Sequence, residues 1–125
     1  MRVLIFILLF IILTLLINTL VVFRGIRISG NSMYPTFKDG DFLIGRYVTK
    51  KHKYHEGNIY IYTTPQGNTV IKRLKYIEGN RLFFLGDNPT DSYDSRHYGW
   101  VSKNDVQLIF FRRLIKEEGK WKIIK

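Results

Sequence analysis

Residues 69–85 read TVIKRLKYIEGNRLFFL, and this stretch decides the fold class of the chain. Its apolar residues are mostly β-branched or aromatic, which is typical of strands, and the EGN sequence at 78–80 is typical of a turn. We therefore predict strands at Thr69–Ile77 and Arg81–Leu85. The same pattern, followed outward, predicts further strands at Asp41–Tyr47, Asn58–Thr63 and Gln107–Leu114, with turns at 38–40 and 65–68. The sequence thus predicts a mostly β domain of short antiparallel strands.

Length and composition limit what such a domain can do. The chain has 125 residues, which is enough for one domain, and a formal charge of +10 from 20 basic and 10 acidic residues. That charge favours an anionic partner, either phospholipid or nucleic acid. The chain has no cysteine, which excludes a disulfide framework, a thiolate metal site and a cysteine nucleophile. Any chemistry must use oxygen and nitrogen groups.

The N-terminal segment predicts a membrane anchor. Residues 3–23 carry no charge and lie between Arg2 and Arg24. At about 1.5 Å per residue, a helix of this length spans the roughly 30 Å hydrocarbon core of a bilayer. A cleavable secretory signal is the alternative, but its apolar region is about 7–15 residues long and ends in small residues. Because the chain contains no alanine, we predict an uncleaved anchor at 1–23 and a separate domain at 24–125.

Two local features of this sequence qualify that picture. Asn18 and Thr19, near the far end of the anchor, are expected to bond back to the helix or reach the interface. Basic residues stand at both ends of the anchor, so the charge pattern does not decide its orientation in the membrane.

Residues 87–98, DNPTDSYDSRHY, hold hardly any apolar side chain. Because long polar loops in small domains usually serve a site, we predict an ordered functional loop there.

Three blocks follow the anchor in order: GNSMYPT at 30–36, VIKRL at 70–74 and GDNPTDSYDSR at 86–96. Together they resemble the type I signal peptidases, membrane-anchored Ser-Lys proteases that remove signal peptides from exported proteins. The resemblance implies a single-pass protein of the cell membrane with an extracytoplasmic catalytic β domain at 24–125. It implies signal peptides of exported pre-proteins and the phospholipid membrane as partners. It implies no cofactor, no metal and no nucleic acid.

Ser32 and Lys72 are the predicted catalytic residues. A serine hydroxyl becomes a good nucleophile when a positioned base removes its proton, and a neutral lysine can be that base. A free lysine has a pKa of about 10.4. Lowering this pKa to about 7–8 requires the protein to destabilise the ammonium form by about 3–5 kcal/mol. Strand alternation places Lys72 on one face with Val70, Leu74 and Tyr76, an apolar setting. The alternatives are a helix N-cap for the serine and a strand-edge lysine that reaches solvent.

The third block supplies supporting residues by the same resemblance. Ser92 is expected to hydrogen-bond the amine of Lys72 and hold it toward the serine proton. Two ion pairs are expected to brace the loop, Asp94 with Arg96 and Asp87 with Arg73. For the oxyanion hole, the Ser32 backbone N–H and the region of Gly30 are expected to contribute. Many relatives have a serine at the Gly30 position, so the second donor is not identified.

The substrate is expected to bind as an extended strand beside the one that carries Lys72. The positions that match the family's pocket walls are Ile28, Met33, Phe37 and Ile71. Their bulky side chains imply shallow pockets and a preference for small residues at positions −1 and −3 from the cleavage point. Ordinary core packing is the alternative for these four.

Other polar residues suggest weaker interpretations. His97 beside Asp94 invites a Ser-His-Asp triad with Ser32, but this leaves Lys72 without a function. His52 and His55 lie in a polar stretch without ligand spacing and fit a solvated loop. The basic run 112–125 fits either contact with anionic lipid or a solvated surface.

Three rival functions stay open. Self-cleaving repressors also use a Ser-Lys pair, but they carry a DNA-binding helix-turn-helix where this chain has an apolar segment. A dedicated or accessory pre-protein peptidase of the plasmid-transfer type would share all three blocks. A membrane-tethered basic binding module would use the +10 charge and have no need of Ser32 or Lys72.

Overall fold

A computed structural model of the chain describes residues 1–124. It has a long N-terminal helix followed by eight strands. The helices are α1 (Arg2–Val22) and α2 (Ser95–Tyr98), with a 3₁₀ turn at Lys103–Asp105. The strands are β1 (Phe23–Arg27), β2 (Phe42–Tyr47), β3 (Ile59–Thr63), β4 (Thr69–Glu78), β5 (Arg81–Leu85), β6 (Val101–Ser102), β7 (Val106–Glu117) and β8 (Lys120–Ile124).

All eight strands belong to one antiparallel sheet. Seven of them pair in the order β1-β2-β7-β3-β4-β5-β6, and β8 pairs with the far half of β7. The mostly β, antiparallel fold predicted from the sequence is therefore confirmed, and all five predicted strands are present within a few residues of the expected bounds. The glycines of the three predicted turns, Gly40, Gly67 and Gly79, all have positive φ, which glycine adopts without steric cost.

Three strands were not predicted, each for a physical reason. β1 begins at Phe23, directly after α1, so its apolar residues continue the apolar run of the helix. β6 has only two residues. β8 alternates Lys120 and Lys122 with apolar residues, is wholly exposed and pairs with β7, so residues 120–124 of the basic run form a strand. Whether that run contacts lipid stays a prediction.

Two apolar clusters form on opposite faces of the sheet. Neighbouring residues of a strand point to opposite faces, and β3 contributes to both clusters. Tyr60 and Tyr62 join the first cluster with Leu74, Leu82, Phe84, Val101 and Val106. Ile59 joins the second with Ile28, Met33, Phe37 and Leu43. Ile28, Met33 and Phe37 lie in the segment between β1 and β2, so their burial in the second cluster holds that segment against the sheet.

The helix α1 has the properties of a membrane span. It has 21 residues, is long and apolar enough to cross a membrane, and none of it is buried by the rest of the chain. Its polar side chains bond back to the helix, as expected: Asn18 Nδ2 donates to the Thr14 carbonyl at 3.0 Å and Thr19 Oγ1 to the Leu15 carbonyl at 2.9 Å. The helix ends one residue before the predicted boundary at 23.

Phe84→Ala is expected to lower the free energy of unfolding by about 3–5 kcal/mol, since Phe84 is fully buried and stacks on Tyr62 at 4.2 Å. The matched control is Phe83→Ala, which truncates the neighbouring, half-buried ring on the other face and should cost about 1 kcal/mol. Urea unfolding of the full chain in detergent, followed by near-ultraviolet circular dichroism, measures both. Equal losses would contradict the placement of Phe84 in the core.

Candidate active site

Ser32 lies in the segment 28–41, which connects β1 to β2. Met33 and Phe37, each at most 2% exposed, anchor this turn in the second cluster. The Phe37 N–H donates to the Met33 carbonyl at 2.9 Å, which closes one helical turn after Ser32. Ser32 itself stays half-buried at the sheet surface. Packing therefore fixes the backbone around the hydroxyl without covering it.

Lys72 meets Ser32 across 40 residues of sequence. Its Nζ donates a hydrogen bond to Ser32 Oγ, and the side chain is only 4% exposed. Burial lowers the pKa of Lys72 below its usual value, while the charges of Asp94 and Asp91 act in the opposite direction. A lysine that reaches solvent from a strand edge does not fit this burial, and an N-cap does not account for the bond between Ser32 and Lys72. The two predicted catalytic side chains are in contact.

The apolar face around Lys72 differs from the predicted one at a single residue. A bulge at Lys75 shifts the register of β4 against β5, so that Leu74 pairs with Phe84 but Tyr76 with Phe83. An extra residue reverses the alternation of side chains. Tyr76 is therefore 51% exposed, and the expectation that it shares the face of Lys72 was wrong. Tyr60, the cross-strand partner of Lys72, is fully buried on that face instead.

Ser92 and Asp94 form a buried polar network next to the dyad. Within residues 1–124, Ser92 Oγ donates to Asp94 Oδ2 at 2.7 Å, and the predicted hydrogen bond from Ser92 to Lys72 is not present. Burial opposes ionisation of the fully buried Asp94. Hydrogen bonds from Arg96, the Gly86 N–H and Ser92 outweigh it and hold the pKa of the carboxyl well below its usual range. The expected ion pair of Asp94 with Arg96 is present at 2.8 Å.

Asp87 links the loop after β5 to both other blocks. Its carboxylate pairs with Arg73 of β4 at 2.6 Å, as expected, and also accepts the hydroxyl hydrogen of Thr36 beside the Ser32 turn. Burial alone would raise the pKa of Asp87, but the hydrogen bonds from Arg73 and Thr36 outweigh this effect, so the pKa is lower than its usual value. The charge of Asp87 therefore ties β4 to the turn that carries Ser32.

Two residues that the sequence reasoning did not single out hold the loop against Ser32. The Asn88 N–H donates to the Ser32 carbonyl at 3.0 Å, and its side-chain amide donates to the Asn31 carbonyl at 3.1 Å. A Cβ on Gly86 would lie 2.1 Å from Ser92 Oγ and 2.6 Å from the Ser32 carbonyl oxygen. Only glycine fits there. The polar GDN sequence at 86–88 indicates a functional loop, but the local sequence does not show that this loop contacts the backbone of Ser32.

A small cleft of about 170 Å³ opens beside the dyad. Ser32 and Lys72 line it together with Ile28, Ser29 and Ile71. Of the four predicted pocket residues, Ile28 and Ile71 lie in its wall. Met33 and Phe37 pack in the second cluster instead, which is the core-packing alternative.

The Gly30 region offers less to an oxyanion than expected. Gly30 has φ of +84°, and its N–H donates to Asp39 Oδ1 at 2.8 Å. In the described part of the chain, no acceptor is assigned to the Ser32 N–H, which leaves it as a donor at the nucleophile.

His97 is part of the cap of α2 and not of a triad with Ser32: its Nδ1 accepts a hydrogen bond from the Asp94 N–H. Among residues 1–124, no group of three or more acidic or histidine side chains is arranged to hold a metal ion.

Comparison with known proteins agrees with this geometry. The Peptidase S24-like family matches residues 23–109, which include Ser32, Lys72 and the whole third block. The chain belongs to the Peptidase S24-like family. It is also similar to signal peptidase I of Buchnera aphidicola subsp. Baizongia pistaciae, with 35% identity over 77 residues. That match covers 58% of this chain and 23% of the relative, so the chain spans well under two thirds of the relative's length.

These comparisons make the protein type I signal peptidase-like, as the sequence blocks predicted. Membership of the family points to a peptidase. The α1 helix and the similarity to signal peptidase I together fit a membrane-anchored protein. The roles of individual residues rest on the geometry described above.

Gly86→Ala is expected to lower peptidase activity by about a hundredfold, because its Cβ would displace Ser92 and the Ser32 backbone by about an ångström. Gly79→Ala is the control: with φ of +55° and no heavy atom near its Cβ, it should cost about 1–2 kcal/mol of stability and keep the activity. Thermal unfolding and cleavage rates are measured for both. Unchanged cleavage by Gly86→Ala would contradict the close approach.

Proposed function

We propose that the protein is a membrane-bound serine endopeptidase that cleaves signal peptides from exported pre-proteins with a Ser32–Lys72 dyad. The observation that carries the proposal is the hydrogen bond between Lys72 Nζ and Ser32 Oγ at a buried site. A buried amine that faces a hydroxyl is costly for a purely structural lysine, because the charged form loses its hydration. The same burial favours the neutral amine that a general base requires.

The chemistry follows from these two groups. Neutral Lys72 takes the Oγ proton as Ser32 attacks the scissile carbonyl, and the resulting ammonium then protonates the leaving amine. The Ser32 N–H stabilises the oxyanion as it forms. Neutral Lys72 next takes a proton from the water that attacks the acyl-enzyme, and it returns this proton to Ser32 Oγ as the acyl–Oγ bond breaks. Asp94, Ser92 and Asp87 hold the loop and the two backbones in position, and they do not exchange protons with the substrate.

The sheet edges beside the cleft favour an extended substrate. Within residues 1–124, β1 pairs only with β2, and the segment Thr69–Lys72 pairs only with β3, because β5 begins to pair at Arg73. Both free edges border the cleft. A peptide can add to a free edge through main-chain hydrogen bonds. The cleft of about 170 Å³ is smaller than the roughly 300–1,000 Å³ of ordinary ligand sites, which favours small side chains at −1 and −3.

The helix determines where the peptidase would act. We place α1 (with residues 1–23 as the anchor) across the cell membrane and residues 24–125 on the extracytoplasmic side, where signal peptides emerge. The direct passage from Val22 of α1 to Phe23 of β1 supports a cleft close to the bilayer, because it leaves no linker between the membrane and the strand that borders the cleft. The extracytoplasmic side is proposed from the similarity to signal peptidase I.

Ser32→Ala and Lys72→Ala are each expected to lower kcat/KM for a pre-protein by at least about 10³-fold, since each removes one member of the reacting pair. Lys75→Ala is the matched control: it removes an exposed lysine from the bulge of the same strand and should keep the activity. Cleavage in detergent of a pre-protein with alanine at −1 and −3 measures all three. Undiminished product from either dyad variant would exclude the proposed mechanism and favour a membrane-tethered binding module.

The pH profile tests Lys72 as the base. Lowering the pH protonates the amine, so kcat/KM should fall on the acidic side as the pH passes through the lowered pKa of Lys72. Because the Asp91 charge raises that pKa, Asp91→Asn should move the acidic limb to lower pH. Asp105→Asn, an exposed acid on another element, should leave it in place. A flat profile down to about pH 5 would argue against a lysine base.

A further inference from the structure

A second cavity lies where the helix α1 meets the sheet. It has a volume of about 420 Å³, and its walls are Val21, Val22, Arg46, Tyr47, Thr49 and His52. Val21 and Val22 are the last two residues of α1, and the other four belong to the end of β2 and the loop after it. The cavity shares no residue with the cleft beside Ser32 and Lys72. Nothing in the proposed peptidase chemistry uses it.

The polar groups of this cavity suit an anion. Within residues 1–124, the Arg46 guanidinium has no ion-pair partner and donates no assigned hydrogen bond, and none of the residues that line the cavity is acidic. Burial is the larger cause of the lowered pKa of His52, and the nearby charge of Arg46 lowers it further. Thr49 adds a hydroxyl donor. Arginine is well suited to phosphate, because its planar guanidinium donates two parallel hydrogen bonds.

The location of the cavity points to a lipid as the source of that anion. If α1 crosses the bilayer, its last turn lies at the level of the lipid head groups. Tyr47, 41% exposed, is of the residue type that is enriched at this level. The loop that follows β2 also contains Lys50, Lys51 and Lys53. A volume of about 420 Å³ lies within the range of small-molecule sites.

We propose that the cavity between the end of α1 and the β2 loop binds the head group of an anionic phospholipid, with Arg46 on the phosphate and Thr49 and His52 as further hydrogen-bonding groups. This proposal rests on the proposed membrane anchoring and is independent of the Ser32–Lys72 chemistry. The bound lipid would hold the domain against the bilayer at the point where the chain leaves it. Because the site includes Val22, a bound lipid would also constrain the start of β1, one border of the substrate cleft.

The test measures binding of short-chain phosphatidylglycerol to the full chain in neutral detergent, by native mass spectrometry and by the shift in Tm. Phosphatidylcholine of the same chain length and glycerol phosphate are the comparison ligands. Arg46→Gln should weaken phosphatidylglycerol binding by about tenfold, the effect of one charge-assisted hydrogen bond. The matched control, Lys51→Gln, removes the same charge from an exposed residue of the following loop that does not line the cavity, and should change binding less than twofold.

Each result decides for or against the site. Selective binding of phosphatidylglycerol that Arg46→Gln weakens and Lys51→Gln does not would support it. Equal weakening by both variants would overturn it in favour of a diffuse electrostatic attraction, and equal binding of phosphatidylcholine would exclude a role for the anionic head group. Glycerol phosphate bound as tightly as the lipid would show a site for free phosphate. The Ser32→Ala variant should bind the lipid normally, so failure of the peptidase proposal and failure of this one remain distinguishable.

Discussion

The burial of one amine, that of Lys72, is the constraint on which the rest of the structure depends. A lysine buried among apolar side chains loses the hydration of its charge, and only a precise partner makes that position useful. Here the partner is Ser32, which the turn after β1 brings over β4. Tyr60 from the neighbouring strand closes the same face. Burial lowers the pKa of Lys72, and the charges of Asp94 and Asp91 reduce the size of this shift without reversing it.

The acidic loop after β5 acts as the frame of this arrangement. Asp94 is fully buried, yet it is satisfied by Arg96, Ser92 and the Gly86 N–H, so its charge is stabilised where it stands. Removing one partner of such a buried pair leaves an uncompensated charge, which is far more costly than the pair itself. The serines and acids of this loop therefore affect the reaction through position. Gly86 has the same kind of role, since the absence of a side chain lets the loop touch Ser32.

The helix and the sheet are joined without a linker, and this connects the position of the cleft to the membrane. β1 starts at Phe23, and the ring of Phe23 packs against Phe111 of β7 at 5.0 Å. The strand that follows α1 is also the strand whose free edge borders the cleft. A bilayer that holds α1 would hold that edge as well. The cavity beside Arg46 and the cleft beside Ser32 thus lie near opposite ends of β1, one toward α1 and one toward the nucleophile.

Much of this protein can be predicted from local sequence, because strand residues, turn glycines and an uncharged run of 21 residues have short-range physical signatures. These determined the five central strands and the apolar helix, whereas the pairing of Ser32 with Lys72 was predicted from the resemblance of three sequence blocks to the type I signal peptidases. Local sequence did not reveal the bulge at Lys75, the pairing of β8 or the bond from Ser92 to Asp94. Those depend on which strands and loops lie side by side, and that is decided only when distant segments pack against one another.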